Sequence, residues 1–126
     1  MRAVDTNVLV RLVTRDDTKQ AARAEDFVSS GAWVSHLVLA ETTWVLSAVY
    51  ELDASSIARA LEMLLNHEAL SIQDPDVARA ALGHFQRKPA LGFSDCLILE
   101  VARAAGHIPV GTFDRDLGKL PDAQRL

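Results

Sequence analysis

The chain has 126 residues, which is enough for one domain with its own hydrophobic core. Its hydrophobic fraction of 49% and charged fraction of 24% are typical of a globular protein and argue against a disordered chain or a coiled coil. The formal net charge of −4 is not that of a protein that grips nucleic acid through a broad basic face. The single cysteine, Cys96, excludes an internal disulfide and a cysteine-based zinc site.

Membrane and secretion signals are not evident in the sequence. Asp5 and Arg11 lie too close together to leave room for a signal-peptide core of ~7–15 apolar residues. No apolar run approaches the ~18 residues of a membrane-spanning helix. We therefore expect a cytoplasmic protein with no membrane contact, built as a single domain over residues 1–126.

Short apolar segments alternate with helical patterns along the chain. The sequence predicts strands over residues 2–5, 33–35, 69–72 and 108–112. It predicts helices over residues 7–14, 18–30, 37–50, 55–67, 75–87 and 94–105. Ser94 is expected to cap the last of these helices and Gly106 to end it.

This alternation is typical of parallel βαβ units. It predicts an α/β fold of three layers, in which a central parallel sheet carries helices on both faces. Asp5 ends the first predicted strand and Asp114 follows the last. We expect the two to lie on adjacent strands at the carboxyl edge of the sheet, where α/β proteins build their sites. Either acid could instead simply cap the helix that follows it.

Glu41 occupies an unusual place for a carboxylate. Its neighbours at helical spacing, Leu37, Trp44, Val45 and Ala48, are all apolar. If that stripe faces the core, the carboxylate is buried and needs a partner or a proton. Asp95 repeats the pattern with apolar residues three and four positions on, although an acid in a first helical turn also interacts favourably with the helix dipole.

Four carboxylates in one crevice would repel one another. Two unit charges ~5 Å apart at an effective dielectric of ~20 repel by roughly 3 kcal/mol. The usual remedy is a hard divalent cation, and an all-oxygen site suits Mg²⁺ or Mn²⁺ rather than Zn²⁺. Such ions support hydrolysis of phosphodiester bonds.

Four motifs occur in a characteristic order. They are V-D-T-N at 4–7, L-A-E-T-T-W-V-L at 39–46, G-F-S-D-C-L-I at 92–98 and T-F-D-R-D-L at 112–117. Together they resemble the PIN-domain ribonucleases, and among these the VapC-type toxins of bacterial type II toxin–antitoxin systems. The resemblance runs from residue 2 to the end of the chain.

The resemblance implies a set of roles. The catalytic acids and ligands of Mg²⁺ or Mn²⁺ would be Asp5, Glu41, Asp95 and Asp114. Supporting positions would be Asn7, Thr112 and Asp116. The substrate would be RNA, and a small cognate antitoxin would inhibit the enzyme. We also expect a homodimer, because the apolar helix faces at 57–65 and 77–85 exceed what we expect one small sheet to cover.

Other functions remain open to a lesser degree. A non-catalytic α/β interaction module would use the same acids only as helix caps. A phosphatase of the haloacid dehalogenase type is disfavoured, because it needs a second aspartate at the position that Asn7 occupies. A response-regulator acidic pair is disfavoured because Asp16 and Asp17 fall in a predicted loop, and Cys96 has no histidine at a recognisable partner spacing.

Overall fold

The computed structural model describes residues 1–126 and confirms the α/β class. The predicted strands and helices all occur, in the predicted order, and every strand pairing is parallel. The chain forms two compact units, Met1–Pro75 and Asp76–Leu126. No helix is long and apolar enough to cross a membrane.

The first unit contains three strands and four helices. The strands are β1 (Arg2–Ala3), β2 (Ala32–Val34) and β3 (Leu70–Ile72), and the helices are α1 (Thr6–Thr14), α2 (Thr18–Val28), α3 (His36–Ala48) and α4 (Ala54–Leu65). β2 is the central strand, with Ala32 opposite Arg2 on one side and Leu70 on the other. Its side chains alternate as expected for a strand, with Ala32 and Val34 buried and Trp33 exposed between them.

Each helix of this unit begins at a residue whose side chain caps it. Asp5, Asp17, Ser35 and Asp53 have extended backbones, and each side chain accepts a hydrogen bond from the backbone N–H three residues later. These bonds satisfy donors that have no partner inside the helix. The capping residues therefore explain why the helix starts could be predicted closely.

The apolar face of α4 forms part of the core of the first unit. Ile57, Leu61, Leu64 and Leu65 are at most 7% exposed. The expectation that the face at 57–65 is uncovered is therefore wrong, because these side chains are buried in the folded chain. Self-association cannot be argued from these side chains.

The second unit comprises α5 (Pro75–Arg87), α6 (Phe93–Ala105), β4 (Val110–Thr112), a 3₁₀ turn (Leu117–Lys119) and β5 (Ala123–Arg125). Pro75, the first residue of α5, is also the last residue of the first unit. β4 pairs in parallel with β5, a strand that the sequence did not predict. The expected pairing of β1 with β4 is not among the hydrogen-bonded ladders, which fall into the groups β1-β2-β3 and β4-β5. Residues 123–125 form a strand because their backbone pairs with β4. No hydrophobic pattern in this short segment predicts the strand.

The start of α6 differs from the prediction. The N-cap is Gly92, with no side-chain cap, and Ser94 lies inside the first turn. The helix begins earlier because Phe93, which is buried, is already part of it. At the other end Gly106 adopts φ 82°, so the predicted helix stop is confirmed, and glycine is the residue that enters this left-handed region without strain.

A polar network is buried in the second unit. Glu100 is only 7% exposed, and its Oε1 lies 2.9 Å from Nε2 of His84. Arg87 lies 3.1 Å from Nδ1 of His84, and because arginine only donates, Nδ1 must accept. Nε2 therefore carries the hydrogen and donates it to Glu100. Arg103 adds a cation 3.5 Å from the other carboxylate oxygen.

The face at 77–85 is also largely covered. Ala78, Ala81, Leu82 and Phe85 are at most 6% exposed, and the Phe85 ring meets Phe93 edge-on with centroids 6.4 Å apart. The buried side of α5 is therefore rotated from the predicted face, on which Val77 and His84 are half-buried and Ala80 is exposed, and only a small apolar surface remains there.

Candidate active site

Asp5 stands between β1 and α1 with an exposed side chain. One carboxylate oxygen, Oδ1, accepts a hydrogen bond of 3.3 Å from the backbone N–H of Val8. The other oxygen has no hydrogen-bond partner in the chain. Asp5 thus acts as a helix cap and still presents a free acceptor to solvent, so the cap does not exclude a second role.

Thr6, which the sequence analysis did not single out, links the first motif to the second. Its side chain is 7% exposed, and its hydroxyl donates a short hydrogen bond to Oε1 of Glu41 on α3. Because Thr6 follows Asp5 directly, this bond fixes Glu41 beside the start of α1. The only signal in the sequence for this role of Thr6 is its position inside the V-D-T-N motif, immediately after Asp5.

The surroundings of Glu41 differ from the prediction. Glu41 is exposed, and its apolar neighbours Leu37 and Trp44 are 77% and 64% exposed. The buried side of α3 instead carries Leu39, Thr42, Thr43 and Leu46. The stripe was assigned to the wrong face because α3 is apolar nearly all round, so spacing alone did not identify the buried side.

Threonine can occupy the buried side of α3 because its hydroxyl finds a backbone partner. Thr42 donates to the carbonyl of Val38 at 2.7 Å, and Thr43 donates to that of Ala40 at 2.8 Å. With these hydroxyls satisfied, the helix packs on its threonine side. Leu37, Glu41 and Trp44 are left as a solvent-facing group, called the α3 stripe below.

In the second unit Asp95 and Asp114 are electrostatically coupled. Asp95 lies half-buried in the first turn of α6. Burial raises the pKa of its carboxyl, and the negative charge of Asp114 raises that pKa further. No hydrogen bond within the chain compensates the Asp95 carboxylate, so its ionised form is held at a cost.

Asp114 is exposed and organises the turn after β4. Its Oδ1 accepts hydrogen bonds from the backbone N–H groups of Asp116 at 2.9 Å and Leu117 at 2.8 Å. Its own N–H donates to the hydroxyl of Thr112 at 3.0 Å. Thr112 therefore positions Asp114 through the backbone, and the second carboxylate oxygen of Asp114 is left free of hydrogen bonds.

The two remaining supporting residues have different surroundings. Asp116 pairs with Lys88 at 3.2 Å, and the hydrogen bond and charge of that lysine lower the pKa of the Asp116 carboxyl. This pairing gives Asp116 a structural role in the second unit. Asn7 is exposed on the first turn of α1 and has no side-chain hydrogen bond.

Cys96 is not an activated nucleophile. It is fully buried, and burial, with smaller contributions from nearby acids, raises the pKa of its thiol to about 11. A thiol with so high a pKa is protonated at neutral pH and does not attack a phosphodiester. Cys96 is thus a small core residue.

The side chains suit a hard cation by their chemistry. The carboxylates of these acids offer oxygen donors, which Mg²⁺ and Mn²⁺ prefer, and a cation would offset the burial and the charge of Asp114 that raise the pKa of Asp95. No group of three or more His, Cys, Asp and Glu side chains is drawn together tightly enough to hold an ion. The structure therefore presents acids with the right chemistry, of which Asp95 and Asp114 interact electrostatically.

Comparison with known families decides the classification. The PIN domain model matches residues 2–123, nearly the whole chain. The chain belongs to the PIN-domain family. No curated protein matches it. PIN domains are generally nucleases, which are hydrolases, and they generally use divalent metal ions. The matched segment includes Asp5, Glu41, Asp95 and Asp114.

Proposed function

We propose that this PIN domain is an endoribonuclease that depends on Mg²⁺ or Mn²⁺, with Asp5, Glu41, Asp95 and Asp114 as its catalytic acids. The observation that carries the proposal is the Asp95–Asp114 pair. A half-buried carboxylate with a like charge nearby and no compensating hydrogen bond weakens the fold. In a nuclease family, metal binding is the function that such a pair serves.

The chain's residues divide the work by position. Asp95 and Asp114 would supply one pair of oxygen ligands, and Asp5 and Glu41 would supply the other. When bound, the ion lowers the pKa of a coordinated water and neutralises charge on the phosphate. Thr6 holds the Glu41 carboxylate through its hydroxyl, and Thr112 holds the Asp114 backbone. Both act as positioning residues.

The proposed reaction is direct hydrolysis by water, leaving a 5′-phosphate. The one cysteine is buried and protonated, and no serine or threonine has a hydrogen-bonded histidine that could activate it. A covalent intermediate therefore has no attacking group. Release of a 2′,3′-cyclic phosphate would require attack by the RNA 2′-hydroxyl and would contradict this mechanism.

The α3 stripe supports a toxin role with a protein inhibitor. Leu37 and Trp44 expose apolar surface on either side of Glu41 along one helix face. A cognate antitoxin that buries both would bring its own side chains against an acidic group, where a basic residue would pair with Glu41. We assign this surface to the antitoxin of a VapC-type pair.

A homodimer is the second assembly that we propose. Its support comes from the exposed side of α6, where Ile98 is 56% and Val101 is 41% exposed. The two residues are three positions apart and therefore share a helix face. This exposed face of α6, and not the faces of α4 and α5, is the support for the proposed homodimer.

The alternative function is a non-catalytic interaction module. It is supported by the backbone bonds of Asp5 and Asp114, which would exist in a protein without any activity. It does not account for Asp95, whose side chain makes no hydrogen bond and weakens the fold when ionised. The two functions give opposite results in a cleavage assay.

The test is cleavage of single-stranded RNA by the purified protein in Mg²⁺ or Mn²⁺. We expect products with 5′-phosphate ends, loss of cleavage in excess chelator, and inhibition by the proposed cognate antitoxin. The Asp95→Asn variant should be inactive, whereas Asp76→Asn, an exposed first-turn acid on α5, should cleave normally. A protein that is inert towards RNA with either ion would support the interaction module.

A further inference from the structure

A groove of about 320 Å³ lies between α1 and α2. Its apolar wall is formed by Val8 from α1 and by Ala24 and Phe27 from α2. Asn7 also lines it and is two residues from Asp5, so the two Cα atoms are at most about 7.6 Å apart. The groove therefore opens beside one of the proposed catalytic acids.

Two arginines line the groove, one paired with an acid and one unpaired. Arg11 is held in place by three contacts of its guanidinium. It donates hydrogen bonds to the side chain of Gln20 and, at 3.0 Å, to the hydroxyl of Tyr50, and it lies 3.4 Å from the carboxylate of Asp16. Arg23 is exposed and makes no ion pair or hydrogen bond within the chain. One cation is thus preorganised, and the other is free to bind a ligand.

The lining contains no acidic residue. A further cation lies close by, since the guanidinium of Arg2 stacks on the Phe27 ring at 3.8 Å from its centroid and donates to the Phe27 carbonyl at 3.1 Å. A groove with cations, side-chain amides and an apolar wall matches a nucleotide, which offers a phosphate, base-edge hydrogen-bonding groups and an apolar base face.

We propose that this groove binds the nucleotide of the RNA strand next to the scissile phosphate, with Arg23 contacting its phosphate. Arg11, whose charge is balanced by Asp16, shapes the groove wall through its hydrogen bonds to Gln20 and Tyr50, and the amide of Asn7 faces the base. This inference rests on the proposed ribonuclease function and adds a substrate subsite to it. An antitoxin segment would be the competing occupant, and the absence of acidic residues from the lining favours RNA.

The test compares Arg23→Gln with Lys19→Gln. Both residues are exposed on α2 and each change removes one positive charge, but only Arg23 lines the groove. Binding of a fluorescent single-stranded RNA is measured by anisotropy in excess chelator, across about 50–200 mM salt. Cleavage is measured separately in Mg²⁺.

We expect Arg23→Gln to weaken binding roughly fivefold or more and to reduce the slope of log K against log salt by about 0.7, the loss of one phosphate contact. KM should rise with little change in kcat. Lys19→Gln should stay within about twofold of wild type with the same slope.

Each other result has a definite meaning. Equal effects of the two substitutions would overturn the subsite, because only the general field would then matter. If Arg23→Gln binds RNA normally but escapes the antitoxin, the groove binds protein and the inference is wrong. If the wild-type protein neither binds nor cleaves RNA, the proposed function fails and the subsite fails with it.

Discussion

Burial, and then the negative charge of Asp114, raise the pKa of Asp95 in the first turn of α6. The negative charge of Asp114 is thus close enough to disfavour the ionised form of Asp95 in the folded chain. Neither has an arginine or lysine that neutralises the pair. This relationship gives a measurable signature in the metal-free protein.

Asp95→Asn should change the pH dependence of stability. Because the folded pKa of Asp95 is raised, the folded chain binds its proton more tightly than the unfolded chain does. Stability is therefore lost as pH rises from near the ordinary value of 3.8 through the raised pKa. The free-energy difference favouring Asp95→Asn should grow over that window, staying below about 1 kcal/mol because solvent screens the partly exposed pair. Denaturant unfolding in chelator at several pH values measures it.

Mg²⁺ provides the control for that experiment. If Asp95 is a ligand, wild type should gain more stability from Mg²⁺ than the Asp95→Asn variant, because a ligand that binds the folded state stabilises it by mass action. Equal gains in the two proteins would show that Asp95 does not hold the ion. A difference that is constant across pH would contradict the shifted pKa.

Asp5→Asn should separate capping from catalysis. Asparagine caps helices about as well as aspartate, so the unfolding temperature should barely change. Activity should fall roughly a hundredfold or more, since a charged ligand is lost. Asp53→Asn is the matched control, because Asp53 caps α4 through the same kind of bond. A normal cleavage rate for Asp5→Asn would leave Asp5 with the capping role alone.

Thr6→Val should misplace Glu41. The change removes the hydroxyl that holds the carboxylate while keeping the side-chain volume. We expect a stability loss of about 1 kcal/mol and a roughly tenfold fall in kcat. Thr6→Ser keeps the donor and should recover most of the rate. Equal activities of the valine and serine variants would show that the bond serves stability only.

Trp44→Ser should impair inhibition without unfolding the protein. Trp44 and Val49 are each 64% exposed, but Val49 lies on a different side of the helix end. Trp44→Ser should therefore weaken antitoxin binding at least tenfold, since buried tryptophans are frequent hot spots. Val49→Ser should bind normally. Titration of cleavage activity with the antitoxin measures both, and indistinguishable inhibition of the two variants would remove the α3 stripe from the interface.

His84→Ala should destabilise the second unit. It leaves the Glu100 carboxylate buried without its 2.9 Å donor, at a cost of about 1–3 kcal/mol. His107→Ala is the control, because His107 is exposed and makes no side-chain hydrogen bond. Thermal unfolding of both variants should show a lower midpoint only for His84→Ala. Similar midpoints would mean that Arg103 alone satisfies Glu100.

The order of elements was predictable because local chemistry marks it. Caps such as Asp53, the stop at Gly106 and the alternation on β2 are encoded within a few residues of where they act. The same is true of Asp95, whose place in a first helical turn was expected from the sequence.

What could not be predicted depends on partners far along the chain. The bond between Thr6 and Glu41 joins residues 35 positions apart, and His84 and Glu100 are 16 positions apart. The sequence around one residue of such a contact does not indicate which distant residue is its partner. The face of α3 was assigned wrongly for a related reason, since a helix that is apolar all round is oriented by its packing partners.

The position of Glu41 between Leu37 and Trp44 has an evolutionary consequence. If an inhibitor covers this group, substitutions at the acid that evade the inhibitor also disable the enzyme. Escape from control can then arise only through the two apolar neighbours, where a polar replacement leaves the acid intact. Selection that keeps the enzyme under its inhibitor should therefore conserve Leu37 and Trp44 more strongly than is usual for side chains that are 77% and 64% exposed.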